Sequence, residues 1–201
     1  MTDPVRPERR VLPVGSISTH AAGWWAIITI MLSEGALFAY LQFSYYYLTV
    51  QSHRGPWPPG GQPSLDLSLP NTIILILSSV AVWFGERGIK RGGQLRLMGG
   101  LVIGFALGAL FVYIQSLEWQ SKDFSIVSNA YGSLFFTVTG FHMAHLVVGL
   151  LVLLPLIVWS ALGYFDAGRH AAISIGAIYW HFVDAVWITV FFTFYITPYL
   201  S

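Results

Sequence analysis

The sequence contains no cysteine and very little charge. Cysteine is absent from all 201 residues, and Asp, Glu, Lys and Arg together make up 9% of them. The lack of cysteine excludes disulfides, thiolate metal sites and cysteine nucleophiles. A net charge of +1 with scattered basic residues offers no surface for a polyanion, which excludes nucleic-acid binding. Both lysines, Lys90 and Lys122, fall between apolar segments, which excludes a retinal-binding pump.

Long apolar segments are what the sequence has in abundance. Hydrophobic residues make up 55% of the chain, aromatic residues 16%, and the mean hydropathy is +0.65, as is typical of an integral membrane protein. We predict an all-α protein with a tail over residues 1–22 and one membrane domain over residues 23–201. A helix needs about 20 apolar residues to cross the hydrocarbon core, so the chain can supply five. The predicted transmembrane helices are Gly23–Leu48, Pro70–Phe84, Leu97–Leu117, Asn129–Leu162 and Ala171–Ile196.

The distribution of basic residues predicts the orientation of these helices. The N-terminal tail and the second and fourth loops hold most of the 10 Lys and Arg residues, whereas the first and third loops hold only Arg54 and Lys122. Basic residues concentrate on the cytoplasmic side of membrane proteins. We therefore predict a cytoplasmic N-terminal tail and a C-terminus outside.

A regular series of glycines marks the third predicted helix. Gly100, Gly104 and Gly108 recur every fourth residue and so lie along one side of the helix. Small residues let two membrane helices approach closely. We interpret this stripe as a helix-packing surface and not as part of a catalytic site.

Five ionisable residues lie inside the apolar segments. Glu34 is roughly 15 Å along the first helix, near the middle of the membrane, and Asp184 is about 18–20 Å along the last. His142 and His145 are three residues apart, as are His181 and Asp184, so each pair shares a helix face. Because an ionisable group at this depth costs roughly 2.5 to 3.5 kcal/mol, such residues are usually kept for a partner or a task.

Three interpretations of these residues remain open on the residues alone. Hydrogen bonds between helices would give them a structural role, with Glu34 neutral or tightly bonded. Histidines on different helices, such as His145 and His181, could hold a haem, and histidine with carboxylate could hold iron or copper. A proton relay is the third interpretation, with Glu34 as its best candidate.

Two segments resemble a known family. Thr139–His145 reads TGFHMAH and resembles the Thr-Gly-Phe-His-Gly-Leu-His segment of subunit III of the haem-copper cytochrome c oxidases, with Met143–Ala144 in place of Gly-Leu. Tyr179–Trp187 reads YWHFVDAVW and resembles the last-helix signature of the same family. Similar residues follow the family's order at Ser33, Glu34, Trp57–Pro59, Leu69–Thr72, Gln115, Glu118 and Tyr131–Phe136.

The resemblance implies a non-catalytic core subunit of an aerobic respiratory cytochrome c oxidase. Such a subunit carries no redox centre and no metal, because haem and copper belong to partner subunits. It packs against subunit I, in a complex with subunit II and further respiratory subunits, stabilises it and supports proton uptake during the reduction of oxygen to water. Glu34 matches the family's membrane-embedded, carbodiimide-reactive carboxyl, and the histidines and Asp184 are then structural.

The number of helices that match the family indicates the membrane in which the chain lies. The full-length family form has seven helices in two groups separated by a lipid-filled cleft, whereas this chain matches the last five, a shorter form found in bacterial oxidases. The resemblance therefore implies a multi-pass protein of the bacterial plasma membrane, with phospholipid as a possible ligand of this chain. Subunit III of a quinol oxidase is the alternative within the family, and an intramembrane b-haem protein is the alternative outside it.

The predicted topology can be tested by labelling single cysteines, since the chain has none of its own. Cysteines introduced at Gly61 or Ser125 should react with a membrane-impermeant maleimide added outside, and a cysteine at Gly92 should not. Protein blotting of intact cells and of lysed cells measures the reaction. The reverse labelling pattern would show that the orientation is inverted.

Overall fold

Five long helices make up the structure. The computed structural model describes residues 22–51, 57–59 and 61–200. The helices are α1 (Ala22–Gln51), α2 (Ser68–Lys90), α3 (Gln94–Gln120), α4 (Ala130–Ala161) and α5 (Ala171–Phe191), and the chain continues into a π-helical turn (Phe192–Ile196) and a 3₁₀ turn (Thr197–Tyr199). All five helices are long and apolar enough to cross a membrane, and these described residues form no β-strand.

The predicted all-helical class with five spanning helices is therefore confirmed. The predicted N-terminal tail, apart from Ala22, and Arg54 lie outside the described residues. The cytoplasmic location of the N-terminus stays a prediction.

Four of the helices form a closed bundle, and α1 packs against its outside. Helices α2, α3, α4 and α5 contact one another in a ring, with α2 and α3 in the most extensive contact, whereas α1 contacts α4 and α5. In the most apolar part of α1 only 11% of the residues are buried within the chain, compared with 50% in α5. Helix α1 therefore turns most of its surface away from the rest of the protein.

Helix α2 extends further than the sequence predicted. It runs on from Phe84 to Lys90, because Glu86 and Lys90 in this extra stretch find partners. Lys90 Nζ lies 2.6 Å from Glu86 Oε1, which also accepts a hydrogen bond of 2.7 Å from Ser174 Oγ on α5. Pro70, predicted to open the helix, lies in its first turn, where a missing N–H breaks no helical hydrogen bond.

The glycine stripe of α3 lies at close helix contacts. A Cβ atom on Gly100 would come within 2.5 Å of the Ala81 carbonyl oxygen on α2, and one on Gly104 would lie 3.2 Å from the Ser78 carbonyl oxygen. Gly108 instead faces α5, where a Cβ would come within 2.5 Å of the Trp180 ring. The stripe thus brings α3 against two neighbouring helices.

Trp180 fills the centre of the four-helix bundle. Its indole ring fits between Gly108 of α3 and Gly149 of α4, where an added Cβ would come within 2.5 and 2.9 Å of the ring, respectively. The indole N–H donates to Ser78 Oγ at 3.1 Å, so the one polar atom of this buried side chain has a partner. In the same way Trp187 Nε1 donates to Thr72 Oγ1 at 3.0 Å.

Replacing Gly100 by alanine should weaken the contact between α2 and α3. The added methyl group would overlap backbone atoms of α2, which cannot rotate away, and overpacking of this kind costs typically 1–3 kcal/mol. The free energy of unfolding of the detergent-solubilised protein in an SDS titration measures the loss.

Gly99→Ala is the matched control for this substitution. A Cβ at Gly99 would meet nothing within 4 Å, so the better helix propensity of alanine should leave stability unchanged or slightly raised. Equal stability of the two variants would contradict close packing at Gly100.

Candidate functional site

The candidate site is a carboxyl–imidazole pair between α1 and α4. Glu34 Oε2 lies 3.1 Å from His145 Nε2. Both residues sit near the middle of their helices, far from either end. The side chains of His145 and Glu34 are 17% and 31% exposed. Of the five ionisable residues that the sequence places inside the apolar segments, these two lie on different helices and contact each other directly.

The contact of the other His145 ring nitrogen, Nδ1, indicates how protons are placed in this pair. Nδ1 lies 2.7 Å from the Phe141 carbonyl oxygen, which can only accept, so Nδ1 carries a hydrogen. Nε2 then either accepts the proton of a neutral Glu34 or, in an imidazolium, donates to a Glu34 carboxylate. Both arrangements place a single proton between the two side chains and give the pair no net charge, which is the form that a membrane interior tolerates best.

The pair lies in the wall of a groove between α1, α4 and α5. The groove has a volume of about 690 Å³ and is otherwise lined mainly by apolar side chains, including Ile27, Val148 and Trp159. The ring of Phe38 packs edge-on against the His145 imidazole, with 5.3 Å between the ring centroids. The proton-bearing atoms of Glu34 and His145 thus face an apolar space along the outer side of the bundle.

His181 and Asp184 lie at a different place, against α2. His181 Nδ1 is 2.8 Å from Ser79 Oγ, and the Asp184 carboxyl interacts with the same hydroxyl group. A hydroxyl that donates to a carboxylate can accept from an imidazole N–H at the same time, so Ser79 can link the two side chains. The sequence placed these residues on one helix face but could not identify Ser79 as their shared neighbour.

The hydrogen bond expected of His142 is not formed within the described part of the chain. His142 is 1% exposed, yet neither of its ring nitrogens has a hydrogen-bond partner there. Its ring packs against Trp187, at 4.7 Å between centroids, and edge-on against Phe111 at 5.9 Å. Aromatic rings occupy the space around the imidazole, and a hydrogen-bonding role for His142 stays a prediction.

A second buried ionic cluster lies at the C-terminal end of α3, and the sequence did not predict it as a site. Glu118 is 2% exposed, and its Oε1 accepts a hydrogen bond of 2.7 Å from Tyr195 and lies 2.9 Å from Lys122 Nζ. The Lys122 ammonium also lies 5.4 Å from the centroid of the Phe135 ring. Lys122 lies in the loop after α3, as predicted, and its spacing of four residues from Glu118 still lets the two side chains pair at the end of the helix.

Within the described residues no group of three or more histidine, aspartate or glutamate side chains is placed to hold a metal ion. His145 is engaged by Glu34 on α1 and His181 by Ser79 on α2, so the two imidazoles are held by different neighbouring helices. This arrangement does not favour a haem held between them.

Comparison with known proteins identifies the family. The family model described as Cytochrome c oxidase subunit III matches residues 17–199. The chain is 33% identical over 176 residues to cytochrome c oxidase subunit 3 of Synechocystis sp., covering 86% of this chain and 74% of that protein. It is 33% identical over 174 residues to the subunit 3 of Thermostichus vulcanus, covering 85% of both chains, and 32% identical over 177 residues to that of Ornithorhynchus anatinus, covering 85% and 68%. The chain therefore belongs to the cytochrome c oxidase subunit III family.

Proposed function

We propose that this chain packs against subunit I of a respiratory haem-copper oxidase, stabilises it and supports proton uptake while haem and copper in partner subunits reduce oxygen to water. Membership of the subunit III family supports a place in such a complex. The chain itself carries no redox centre in this proposal. Cytochrome c is the proposed electron donor of the complex, since the relatives are named cytochrome c oxidase subunits.

The Glu34–His145 pair is the proposed proton-handling element. It holds one proton between two groups 3.1 Å apart, and that proton can lie on either partner without changing the charge of the pair. Such a pair stays neutral when it takes up one proton as it releases another, which matters in a medium where a lone charge is expensive. The 3.1 Å contact between Glu34 Oε2 and His145 Nε2 is the observation that supports the role of the chain in proton uptake.

The remaining polar residues of the membrane interior have a structural role in this proposal. Ser79, His181 and Asp184 link α2 to α5, and Glu118 with Lys122 and Tyr195 links α3 to the end of α5. Each of these contacts pairs polar groups that lipid could not satisfy. Their role is to hold the bundle together while the Glu34–His145 pair handles protons.

We further propose that the complex lies in a bacterial plasma membrane, with the N-terminus of this chain in the cytoplasm. The cyanobacterial relatives support a bacterial setting. This chain covers 85% of the Thermostichus vulcanus protein but 68% of the longer Ornithorhynchus anatinus protein. The distribution of basic residues supports the orientation. In that orientation the turn between α2 and α3 faces the cytoplasm.

Glu34→Gln should leave the oxidase assembled and lower its turnover progressively as the pH rises. Glutamine keeps the size of the side chain and can donate to His145 Nε2, so packing is preserved, but it cannot carry the shared proton. Proton supply limits turnover most where protons are scarce, so the loss should grow towards alkaline pH. Oxygen consumption of the purified complex as a function of pH measures this loss.

Ser33→Ala provides the control for this experiment. Ser33 precedes Glu34 on α1, and among the described residues its hydroxyl bonds the backbone oxygen of Ile30 in its own helix, so its removal should leave the pH profile unchanged. Identical profiles for wild type and Glu34→Gln would make Glu34 a packing residue. A Glu34→Gln complex that lost subunits would instead point to a role in assembly.

A further inference from the structure

A small pocket with three arginines lies at the turn between α2 and α3, away from the Glu34–His145 pair. It has a volume of about 150 Å³ and is lined by Trp83, Phe84, Arg87, Gly88, Arg91 and Arg96. We call it the arginine pocket. From its lining we propose that the arginine pocket binds the phosphate group of an anionic phospholipid.

The close approach of two helices builds this pocket. A Cβ atom on Gly88 of α2 would come within 2.5 Å of the Arg96 Cβ on α3, so only glycine allows the two helices to meet here. Gly92, with φ of +78°, forms the tight turn that follows Arg91. The Gly93 N–H donates to the Gly88 carbonyl oxygen at 2.9 Å and closes that turn. Arginines from the end of one helix and the start of the next are thereby held around one space.

The charges of the arginine pocket have no counter-ion within the described part of the chain. Glu86, the acidic residue next to Arg87, is instead paired with Lys90. No carboxylate lies in the pocket lining, and the ion pairs formed by the described residues do not include Arg87, Arg91 or Arg96. Three arginines that line one small space carry like charges, and an anion bound there would offset their repulsion.

Arg96 has no local electrostatic reason for its position. Arg87 lies in the last turn of α2, where the helix dipole favours a cation, and this placement explains it without a ligand. Arg96 lies in the first turn of α3, where the same dipole disfavours a cation, and that turn contains no acidic residue. An anion bound in the pocket would turn this unfavourable placement into a favourable one.

The aromatic part of the lining indicates a lipid as the source of the anion. The Arg87 guanidinium lies 4.1 Å from the centroid of the Trp83 ring, and Trp83 and Phe84 are 42% and 54% exposed on the apolar part of α2. The pocket is thus charged at the helix ends and aromatic towards the membrane interior. A phospholipid has the same sequence of groups, with a phosphate at the surface and acyl chains below it.

The arginine geometry suits a phosphate in particular. A guanidinium presents a planar fork of N–H donors that can bind two phosphate oxygens at once, and lysine offers no such fork. We therefore expect Arg91→Gln and Arg96→Gln each to lower the affinity for phosphatidylglycerol about tenfold, equivalent to about 1.4 kcal/mol. Arg96→Lys should recover only part of the affinity.

Native mass spectrometry of the whole oxidase complex can measure this affinity. The complex is purified through a tagged copy of this chain, delipidated and titrated with dioleoylphosphatidylglycerol or with zwitterionic dioleoylphosphatidylcholine. Arg169→Gln is the matched control, because Arg169 is an exposed arginine paired with Asp166 in another loop. The proposal expects the binding of one phosphatidylglycerol per complex to be weakened by the pocket substitutions and not by Arg169→Gln. The binding of phosphatidylcholine should not change in the same way.

Three results would overturn the proposal. Unchanged phosphatidylglycerol binding in both Arg91→Gln and Arg96→Gln would remove the site. Displacement of the lipid by millimolar inorganic phosphate would show a site for free anions. Loss of another subunit from both variants, with lipid binding retained, would show that the arginines bind an acidic segment of a partner protein. Arg96→Lys keeps the charge and most of the side-chain volume, so this variant should fold even if a glutamine variant does not. Its phosphatidylglycerol affinity can then still be compared with that of wild type.

Discussion

The membrane interior leaves no water for unpaired polar groups, and this constraint determines most of the structure. Backbone groups are satisfied within five long helices, as a lipid environment requires. The buried indole nitrogens of Trp180 and Trp187 bond to Ser78 and Thr72. The same constraint explains why Glu34 lies against His145. One of the two groups donates a hydrogen bond and the other accepts it, so neither is left unpaired in the membrane.

Large rings in small-residue gaps give the bundle its shape, and the bundle in turn positions the functional pair. Trp180 occupies the space left by Gly108 and Gly149, so α3, α4 and α5 are held at one spacing. Helix α4, fixed in this way, presents His145 to α1 on the outside of the bundle. Because α1 contacts only α4 and α5 to any extent, the Glu34–His145 contact is also one of the polar links that join α1 to the other helices, together with the Gln42–Thr189 hydrogen bond.

The sequence predicts the number of helices and the residues that need partners, but not which partners they find. Apolar length identifies all five helices, and helical spacing correctly places His181 and Asp184 on one face. Spacing within one helix says nothing about its neighbours, so neither Ser79 nor the Trp187 and Phe111 rings beside His142 could be identified. The end of α2 was placed too early because hydropathy falls at Glu86, although Lys90 and Ser174 satisfy that residue.

Infrared difference spectroscopy of the complex during oxygen reduction tests the central claim most directly, because it detects changes in individual carboxyl groups. If the Glu34–His145 pair handles protons, wild type should show a carboxyl signal under turnover that is absent from Glu34→Gln and altered in His145→Gln. The Ser33→Ala spectrum should match that of wild type. Identical turnover spectra for wild type and Glu34→Gln would show that Glu34 keeps its proton throughout the reaction, and would contradict the proposed role of the pair.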